Sequence, residues 1–472
     1  MTRPLEVALI GAGNRGYEAY GPYALAHPDE LRFVAVAEPA EQRRRRFAAA
    51  HGIPAERQYA RWEDLLNSSS PRADALLICT LDCDHFSPTY AGLTAGYDIL
   101  LEKPMATTRD DCVALVGAAE RTGALLQLCH VLRYTAFFAR LHDIVSSGRL
   151  GRIIMVEHRE NVSYWHMAHS YVRGNWRSSA AQCPMILAKC CHDLDIITWN
   201  LGGCHALSSF GSLLHFRPEN APPGAPEYCL DGCPAASDCP WYAPRLYVDL
   251  VPLLRVARES SDLWPKVGAS LLLNHPRLTQ TLRRALPRLA AALDYRGWPV
   301  SVIAEETDVA SRRAALERGP YGRCVYRCDN DVVDHQVVAM QMESGTSAVL
   351  VMQGHSDREE RTMRYDGTRA TLHGWYGLGG QGLSIRDHLT GKAEHIHFRS
   401  GLDAATGHAG GDWGVLAAFV RAVRDRSEVL TTAREALESH LLAFAAENAR
   451  LNREAVAMEA WRQTAPHDGS AC

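Results

Sequence analysis

The sequence has few features of a membrane protein or a nucleic-acid-binding protein. It lacks an uninterrupted run of about 18 apolar residues, which argues against a transmembrane helix. It also lacks a basic excess, because 50 lysines and arginines stand against 54 aspartates and glutamates. Proteins that bind a phosphate backbone usually concentrate positive charge, so nucleic acid is not an expected partner. The basic run at 43–46 is typical of a solvated helix face.

No apolar leader precedes the strand-like segment at 7–10, so we expect a cytoplasmic protein. Most of the 14 cysteines are then expected to be reduced thiols in apolar surroundings. The hydrophobic share of 47% and the charged share of 22% are ordinary for a globular chain, which excludes wholesale disorder. A length of 472 residues predicts two or more structural units.

A glycine-rich loop follows the first predicted strand. Gly11 permits a tight turn, and Gly13 lets backbone amides approach a pyrophosphate. Gly16 allows a helix to pack closely on the strand, and Asn14 and Arg15 belong to the same predicted cofactor loop. The loop therefore predicts a dinucleotide site at a helix N-terminus, with a short or restarted helix because Pro22 follows soon after.

The second predicted strand, at 31–37, ends in Glu38. This residue stands 22 positions after Gly16, where a carboxylate can accept a hydrogen bond from a ribose 2′-hydroxyl. A carboxylate there repels a 2′-phosphate, which favours NAD over NADP. Arg43 or a neighbour could soften that preference by folding back.

Further predicted strands at 75–80, 98–101 and 125–129 alternate with predicted helices at 85–95 and 108–121. This alternation of strands and helices predicts a doubly wound parallel sheet of the α/β class. Ligands bind beyond the carboxyl ends of such strands. Five polar residues at these ends are therefore expected to line the cofactor site: Thr80, Asp82, His85, Glu102 and Lys103.

Fourteen residues, 164–177, contain two histidines, two arginines and four aromatic rings. Rings can stack on a sugar while histidine and arginine donate to its hydroxyls, so this segment is predicted as a substrate-binding loop. Its candidate substrate residues are His166, His169, Arg173, Trp176 and Arg177. The alternative is an aromatic docking surface between domains.

These motifs, with Glu102-Lys103-Pro104 and the segment around His192, resemble the Gfo/Idh/MocA family, which includes glucose–fructose oxidoreductase and inositol dehydrogenase. The resemblance implies a Rossmann domain at 1–125. It also implies an α/β domain at 126–472 with a large, open, mostly antiparallel sheet. Family members associate through the outer face of that sheet, which implies a homodimer or homotetramer.

The resemblance also implies catalytic roles. Lys103 would lie near the nicotinamide and the substrate hydroxyl, and His192 would be the acid/base on a buried helix predicted at 185–202. The family's aspartate four residues before that histidine is Ala188 here. Helical spacing places Lys189 on the same face as His192, so Lys189 is expected to contact substrate. His408 matches the histidine of the family's His-x-Gly-Gly-Asp element, which implies a place close to the substrate, and Asp412 of that element could cap the helix that follows.

Residues 216–325 form an insertion relative to a minimal family member, with a basic helical stretch predicted at 253–293. Two cysteine clusters bracket it and could converge on one structural zinc ion: Cys229, Cys233, Cys239, Cys324 and Cys328. An iron–sulfur cluster and reduced thiols in loops are the alternatives.

The sequence therefore predicts an NAD-dependent oxidoreductase that takes hydride from a ring hydroxyl of a sugar, cyclic polyol or glycoside. One alternative is an NAD-dependent glycoside hydrolase that oxidises C3 transiently and eliminates the C1 substituent. Another is a non-catalytic NAD-binding sensor.

Overall fold

The computed structural model describes residues 3–69, 72–259, 263–275, 295–304, 306–377, 379–398 and 408–463. Residues 276–293 of the predicted basic helical stretch lie outside the described residues. Within the described ranges, every helix is too short or too polar to cross a bilayer.

The first sheet has six parallel strands in the order β3-β2-β1-β4-β5-β6, which confirms the doubly wound prediction. Its strands are β1 (Leu5–Ile10), β2 (Leu31–Ala37), β3 (Gln58–Tyr59), β4 (Ala75–Ile78), β5 (Asp98–Leu101) and β6 (Leu126–Leu128). The connecting helices are α1 (Gly21–Ala26), α2 (Glu41–His51), α3 (Trp62–Leu66), α4 (Phe86–Thr94) and α5 (Arg109–Thr122). The division at residue 125 stays a prediction, although β6 belongs to this sheet.

The turn after β1 needs glycine for two reasons. Gly11 adopts a φ of +92°, and a Cβ there would lie 2.6 Å from the carbonyl oxygen of Cys79. A Cβ on Gly16 would lie 2.4 Å from the carbonyl oxygen of Gly11. A wide helical turn at 15–20 then gives way to α1, whose first turn contains Pro22. The predicted interruption of this helix is confirmed.

The second sheet has nine strands in the order β14-β13-β12-β11-β7-β10-β9-β8-β15. Every neighbouring pair is antiparallel except β7 and β10, so the sheet is mixed and mostly antiparallel, as predicted. Its strands are β7 (Ile153–Ser163), β8 (Cys204–Ser212), β9 (His335–Met342), β10 (Ser347–Ser356), β11 (Glu360–Gly367), β12 (Ala370–Gly377), β13 (Gly380–Asp387), β14 (Ala393–His397) and β15 (Val456–Ala457).

Helices between the two sheets and at their edges complete the core. Before the insertion they are α6 (Ala136–Ser146), α7 (Tyr164–His166), α8 (Met185–Ala188) and α9 (Cys191–Leu201). The insertion contributes α10 (Ala243–Tyr247), α11 (Val251–Arg258), α12 (Leu263–Asn274), α13 (Val300–Ile303) and α14 (Val309–Arg318). The last helices are α15 (Gly411–Asp425), α16 (Ala433–Asn452) and α17 (Met458–Gln463).

Helix α15 returns to the first sheet late in the chain. Its apolar residues Val415, Leu416, Phe419 and Val420 are buried in one core cluster with residues of β1, β2 and β4. Thr431 adds a second contact between this late segment and the first sheet, because its hydroxyl donates to the carbonyl oxygen of Leu128 on β6 at 2.8 Å. The core of the first sheet is therefore completed by residues nearly 300 positions beyond β6.

Three local predictions are wrong. The predicted helix at 185–202 is broken into α8 and α9, because Lys189 and Cys190 leave regular helical geometry between them. Asp412 lies inside the first turn of α15 and does not cap it, since Gly410 occupies the cap position. The segment 164–177 consists of compact helical turns, largely buried, instead of an open loop.

We expect Gly16→Ala to lower the free energy of unfolding by about 2 kcal/mol or more, because its methyl group would meet backbone at 2.4 Å. Gly13→Ala is the matched control. Its methyl group would meet no atom within 4 Å, so its stability should stay within about 0.5 kcal/mol of the parent. Urea unfolding followed by circular dichroism measures both. Equal destabilisation of the two variants would contradict this account of the turn.

Candidate active site

The glycine loop and Glu38 form one end of the site. The amide of Ala12 donates to Glu38 Oε2 at 2.8 Å, and the amide of Ala40 donates to Oε1 at 3.0 Å. The carboxylate is thus buried beside the loop, where the sequence predicts a ribose. The space in front of Gly13 is open, which leaves room for a phosphate group. Arg44 Nη1 donates to the carbonyl oxygen of Glu38 at 2.5 Å and so binds backbone.

Two further residues of the loop hold neighbouring side chains. Asn14 Nδ2 donates to Glu18 Oε2 at 2.7 Å. Arg15 donates to Glu102 Oε1 at 2.6 Å and to Asp412 Oδ1 at 2.5 Å. Arg15 therefore links the glycine loop to the turn after β5 and to the first turn of α15. Its guanidinium group is therefore already hydrogen-bonded to two carboxylates.

The three predicted cofactor residues in the loop after β4 each make a different contact. Thr80 Oγ1 donates to the carbonyl oxygen of Asp84 at 3.1 Å. Asp82 is buried and accepts the indole N–H of Trp176 at 2.9 Å, so it connects the first domain to the segment 164–177. His85 is also buried, and its Nδ1 lies 2.6 Å from the carbonyl oxygen of Pro104. His85 thus fixes the turn that carries Lys103.

Lys103 is held at the junction of the two sheets. Its Nζ donates to the carbonyl oxygen of Ala188 at 2.8 Å, at the C-terminal end of α8. The preceding Glu102 does not pair with this ammonium at close range, because its Oε1 accepts from Arg15 and from the hydroxyl of Tyr20 at 2.7 Å. A backbone carbonyl is thus the hydrogen-bond acceptor that orients the Lys103 ammonium.

A row of three buried histidines extends from this point into the protein. His192 Nδ1 lies 3.4 Å from His130 Nδ1, and the rings of His130 and His440 are 5.7 Å apart. His440 is fully oriented, because Met105 N–H donates to its Nε2 at 2.8 Å and its Nδ1 donates to Ala436 at 2.8 Å. Sequence reasoning missed His130 and His440, since each stands alone in an apolar segment.

Burial keeps these imidazoles neutral at neutral pH. It lowers the pKa of His130 to about 3 and the pKa of His440 to about 3. Burial also holds the pKa of His192 well below its usual value, and the nearby Lys103 ammonium lowers it further. A neutral His192 has a nitrogen lone pair available to accept a proton.

His408 is brought to the same place, as predicted from its motif. Its ring is 6.1 Å from that of His192, and its Nδ1 lies 3.1 Å from Asp412 Oδ2. Although burial alone would raise the pKa of Asp412, Arg15 and His408 hold it below its usual range. The Asp412 carboxylate therefore orients the side chains of Arg15 and His408 at the start of α15.

Lys189 and His166 meet at a residue that sequence reasoning missed. Glu359 Oε1 accepts from Lys189 Nζ at 3.0 Å and lies 2.8 Å from His166 Nδ1. Glu359 Oε2 also accepts the backbone N–H and the hydroxyl of Ser163, at 2.8 and 2.9 Å. A second carboxylate, Glu160, lies 3.3 Å from Lys189 Nζ. The signal that could have revealed Glu359 is its position directly before β11, beside the end of β7.

Behind this group, Arg361 joins two buried acids. Its Nη2 lies 2.6 Å from Glu160 Oε2, and its Nε donates to Asp193 Oδ1 at 2.8 Å. Asp193 also lies 2.8 Å from His158 Nε2. Asp193 on α9 is therefore held by Arg361 of β11 and His158 of β7.

Four of the five substrate candidates in 164–177 are held by protein partners instead. His169 lies against Tyr247 at 2.9 Å, Trp176 donates to Asp82, and Arg177 pairs with Asp329 at 3.0 Å. Arg173 is buried among backbone carbonyl groups of the insertion. Of these candidates, His166 alone is connected by a hydrogen bond to Lys189 through Glu359. Their predicted substrate contacts stay untested.

A cavity of about 270 Å³ adjoins Glu359. Aromatic rings from two segments line it, together with charged residues of α11 and of the turn before β11: Tyr164, Trp165, Trp375, Arg255, Arg258 and Arg358. Helix α11 belongs to the insertion, so the insertion forms part of this wall. Rings beside charged donors suit a polyhydroxylated ligand.

The expectation of a zinc ion is not supported. Among the described residues, no group of three or more His, Cys, Asp or Glu side chains is placed to hold a metal ion. The physical reason is separation, since thiolates that share one Zn²⁺ must all lie about 2.3 Å from it. Four of the five insertion cysteines do line one small cavity, and Cys328 is not among its lining residues.

Two family models match this chain. Residues 5–130 match the model described as "Oxidoreductase family, NAD-binding Rossmann fold". Residues 143–216 match the model described as "Oxidoreductase family, C-terminal alpha/beta domain". Both belong to the Gfo/Idh/MocA family, which confirms the resemblance seen in the sequence.

Curated proteins show the same resemblance over part of the chain. The chain is 28% identical over 208 residues to inositol 2-dehydrogenase of Streptomyces avermitilis, covering 43% of this chain and 54% of that protein. It is 23% identical over 187 residues to the putative oxidoreductase YteT of Bacillus subtilis, covering 39% and 43%. The aligned part thus spans about half the length of these relatives.

An oxidoreductase from Agrobacterium radiobacter, solved with NAD⁺, L-tartaric acid and magnesium, superimposes with a TM-score of 0.63. The match covers 97% of this chain and 99% of that one at 13% identity, which shows a shared fold.

We expect acid to destabilise the protein between about pH 6.5 and pH 3. The folded-state pKa of His130 and His440 lies near 3, so the unfolded chain binds more protons than the native one in this window. Stability is therefore complete above the unfolded pKa and falls as pH drops. Each histidine contributes a slope of up to about 1.4 kcal/mol per pH unit.

His440→Gln tests this prediction, because the amide keeps an acceptor for Met105 and a donor for Ala436. Urea unfolding at several pH values should show a slope smaller by about 1.4 kcal/mol per unit. The exposed His395→Gln is the control and should leave the slope unchanged. An unchanged slope in His440→Gln would show that His440 is not neutralised by burial.

Proposed function

We propose that this chain, which carries both domains of the Gfo/Idh/MocA oxidoreductase family, is an NAD-dependent dehydrogenase acting on a ring hydroxyl. Its substrate would be a sugar, cyclic polyol or glycoside. The proposal rests on one observation. At the edge of the dinucleotide-binding sheet, the Lys103 ammonium is close enough to a neutral His192 to lower the pKa of that histidine.

The residues of the first sheet fit a dinucleotide. Open space in front of Gly13 and the helical turn that follows it suit a pyrophosphate, and Glu38 suits a ribose hydroxyl. Glu38 accepts two backbone N–H groups and has no counter-cation within 4 Å among the described residues, which favours NAD over NADP. The oxidised nicotinamide, when bound, supplies the hydride acceptor.

Lys103 orients the reacting alcohol in this proposal. One of its three N–H groups is used on the carbonyl oxygen of Ala188, so the remaining two can donate to the substrate oxygen. The positive charge also stabilises negative charge that develops on the oxygen as hydride leaves the carbon.

His192 accepts the alcohol proton. We assign the proton of neutral His130 to Nε2, because the carboxylate of Asp195 lies 3.9 Å from that atom. His130 Nδ1 is then an acceptor, and His192 Nδ1–H donates to it. This tautomer leaves the lone pair of His192 on Nε2, which has no hydrogen-bond partner among the described residues. The buried row of histidines therefore sets up His192 as a general base.

The substrate class rests on the groups around this base. Lys189 and Glu359 supply a donor and an acceptor, and the cavity beside Glu359 supplies aromatic walls. His408 lies beside His192, with their ring centroids 6.1 Å apart. A ring that carries several hydroxyls matches these alternating donors and acceptors. With NAD⁺ bound, the nicotinamide would supply the hydride acceptor, and His192 would hold the alcohol proton when the alcohol becomes a ketone.

The second sheet also favours self-association. Its strands alternate between buried residues and residues that are partly or fully exposed, so one face carries little cover in the described part of the chain. A homodimer or homotetramer through this face stays our prediction.

An NAD⁺ assay with a panel of polyols, free sugars and aryl glycosides tests the proposal. We expect stoichiometric NADH and a ketone product with at least one panel member. Release of the aglycone with only catalytic NAD⁺ would assign the redox-neutral glycoside hydrolase instead. NAD binding without either reaction across the panel would assign the sensor.

Lys103→Ala should lower kcat by about 10²–10⁴-fold, the range expected when a proton-transfer and charge-stabilising group is removed. Its Kd for NADH should stay within a few-fold, because the glycine loop and Glu38 are untouched. Fluorescence titration and single-turnover kinetics measure the two quantities. The exposed Lys392→Ala is the control. Turnover near the parent level in Lys103→Ala would remove this lysine from the chemistry.

Glu38→Arg should shift the ratio of NADH to NADPH affinity towards NADPH by about tenfold or more, since an arginine can accommodate a 2′-phosphate. The exposed Glu41→Arg places the same charge one turn away on α2 and serves as control. If the unmodified protein already prefers NADPH in the same fluorescence titration, the assignment of Glu38 is wrong.

A further inference from the structure

We propose that the insertion binds a structural [4Fe–4S] cluster through Cys229, Cys233, Cys239 and Cys324. This inference is independent of the dehydrogenase proposal, because it concerns residues that the catalytic step does not use. It rests on the convergence of four free thiols on one small cavity and on a buried guanidinium beside them.

Two separate stretches of chain bring the thiols together. Residues 227–229 and 322–324 pair as a short antiparallel ladder, in which Cys229 N–H donates to Gly322 at 2.9 Å and Cys324 N–H donates to Glu227 at 2.8 Å. This ladder sets Cys229 and Cys324 side by side, although 95 positions separate them in the sequence. Both side chains are buried.

The other two thiols come from the turn that follows. Cys233 and Cys239 lie at the two ends of a compact turn, which is closed by hydrogen bonds from Arg245 to the carbonyl oxygens of Ala236, Ser237 and Cys239. An arginine that donates to three carbonyl groups of one turn fixes its shape. All four cysteines then line the same cavity, together with Arg173 and Trp241.

Arg173 is the second observation that points to a ligand. Its side chain is fully buried, at 1% exposure, and no carboxylate lies within 4 Å of it among the described residues. It donates to the carbonyl oxygens of Arg323 and Trp241, at 2.7 and 2.8 Å, and lies 3.7 Å from Cys229 Sγ. Its Nη1 is buried without a hydrogen-bond partner. A buried cation of this kind requires a nearby anion.

Four thiolates around a cluster would supply that negative charge. Each thiolate of a [4Fe–4S] cluster binds a different iron atom, so its sulfur atoms stand farther apart than those of a one-zinc site. This difference explains how four cysteines can line one cavity while no three of the described ligand residues are placed for a single ion. The unpartnered Nη1 of Arg173 is available to donate to a cluster sulfide.

The cluster has a structural role in this proposal, and no electron transfer is invoked. Arg173 ends the segment that also carries His166 and His169, and His169 packs against Tyr247 and Tyr321 of the insertion. A cluster at the cysteines would therefore tie the insertion to the chain that forms the wall of the candidate active site.

The test is metal and sulfide analysis of the full chain purified without oxygen, and of the same protein after reconstitution with iron and sulfide. We expect about four iron and four acid-labile sulfide per chain. We also expect broad visible absorption that dithionite bleaches. One zinc per chain without sulfide would overturn the proposal, and so would the absence of iron and sulfide after reconstitution.

Single substitutions then locate the ligands. Cys239→Ser and Cys324→Ser should each lower bound iron about fivefold or more. Cys328→Ser is the matched control, because Cys328 lies four residues from Cys324 but does not line the cavity, and it should keep the full iron content. Equal loss in all three variants, with unchanged circular dichroism, would contradict the assigned ligand set. The parent's iron and sulfide content decides the proposal even if a variant fails to fold.

Discussion

The contact between the Lys103 ammonium and the carbonyl oxygen of Ala188 joins the two sheets where the chemistry is proposed. This hydrogen bond can form only while the turn at 102–104 and the end of α8 keep their positions. His85 fixes the first by its contact with Pro104, and the break between α8 and α9 frees the carbonyl of Ala188 from helical hydrogen bonding. A local irregularity thus creates the acceptor that orients this ammonium.

Desolvation organises the rest of the site. The same burial that makes His192, His130 and His440 neutral would make isolated charges costly, and the buried charges nearby are accordingly paired. Arg361 lies between Glu160 and Asp193, and Lys189 lies between Glu160 and Glu359. Such networks are strongly destabilised by loss of one partner, since the other is left buried and uncompensated. Substitution in this network is therefore expected to disturb folding before it disturbs chemistry.

Sequence reasoning succeeded where short-range rules apply. The glycine loop and the restart of the helix near Pro22 follow from residues within a few positions of each other. The alternation of strands and helices likewise predicted the parallel first sheet, whereas the large second sheet was expected from the family resemblance.

It failed where tertiary partners decide. Residues 164–177 have the composition of a loop but fold into compact helical turns, in which Asp82, Tyr247 and Asp329 bind polar groups from distant segments; their substrate contacts stay a prediction. The continuous helix predicted at 185–202 has good periodicity, but Lys189 turns to reach Glu359. No single-sequence rule could place Glu359, because it acts only through the pairing of β7 with β11.

The late return of α15 to the first sheet has a consequence for biosynthesis. Val415, Leu416, Phe419 and Val420 cover apolar residues of strands that leave the ribosome hundreds of residues earlier. Part of the apolar face of the first sheet therefore stays uncovered during synthesis until α15 has been translated. Such an exposed apolar face is prone to aggregation until α15 covers it.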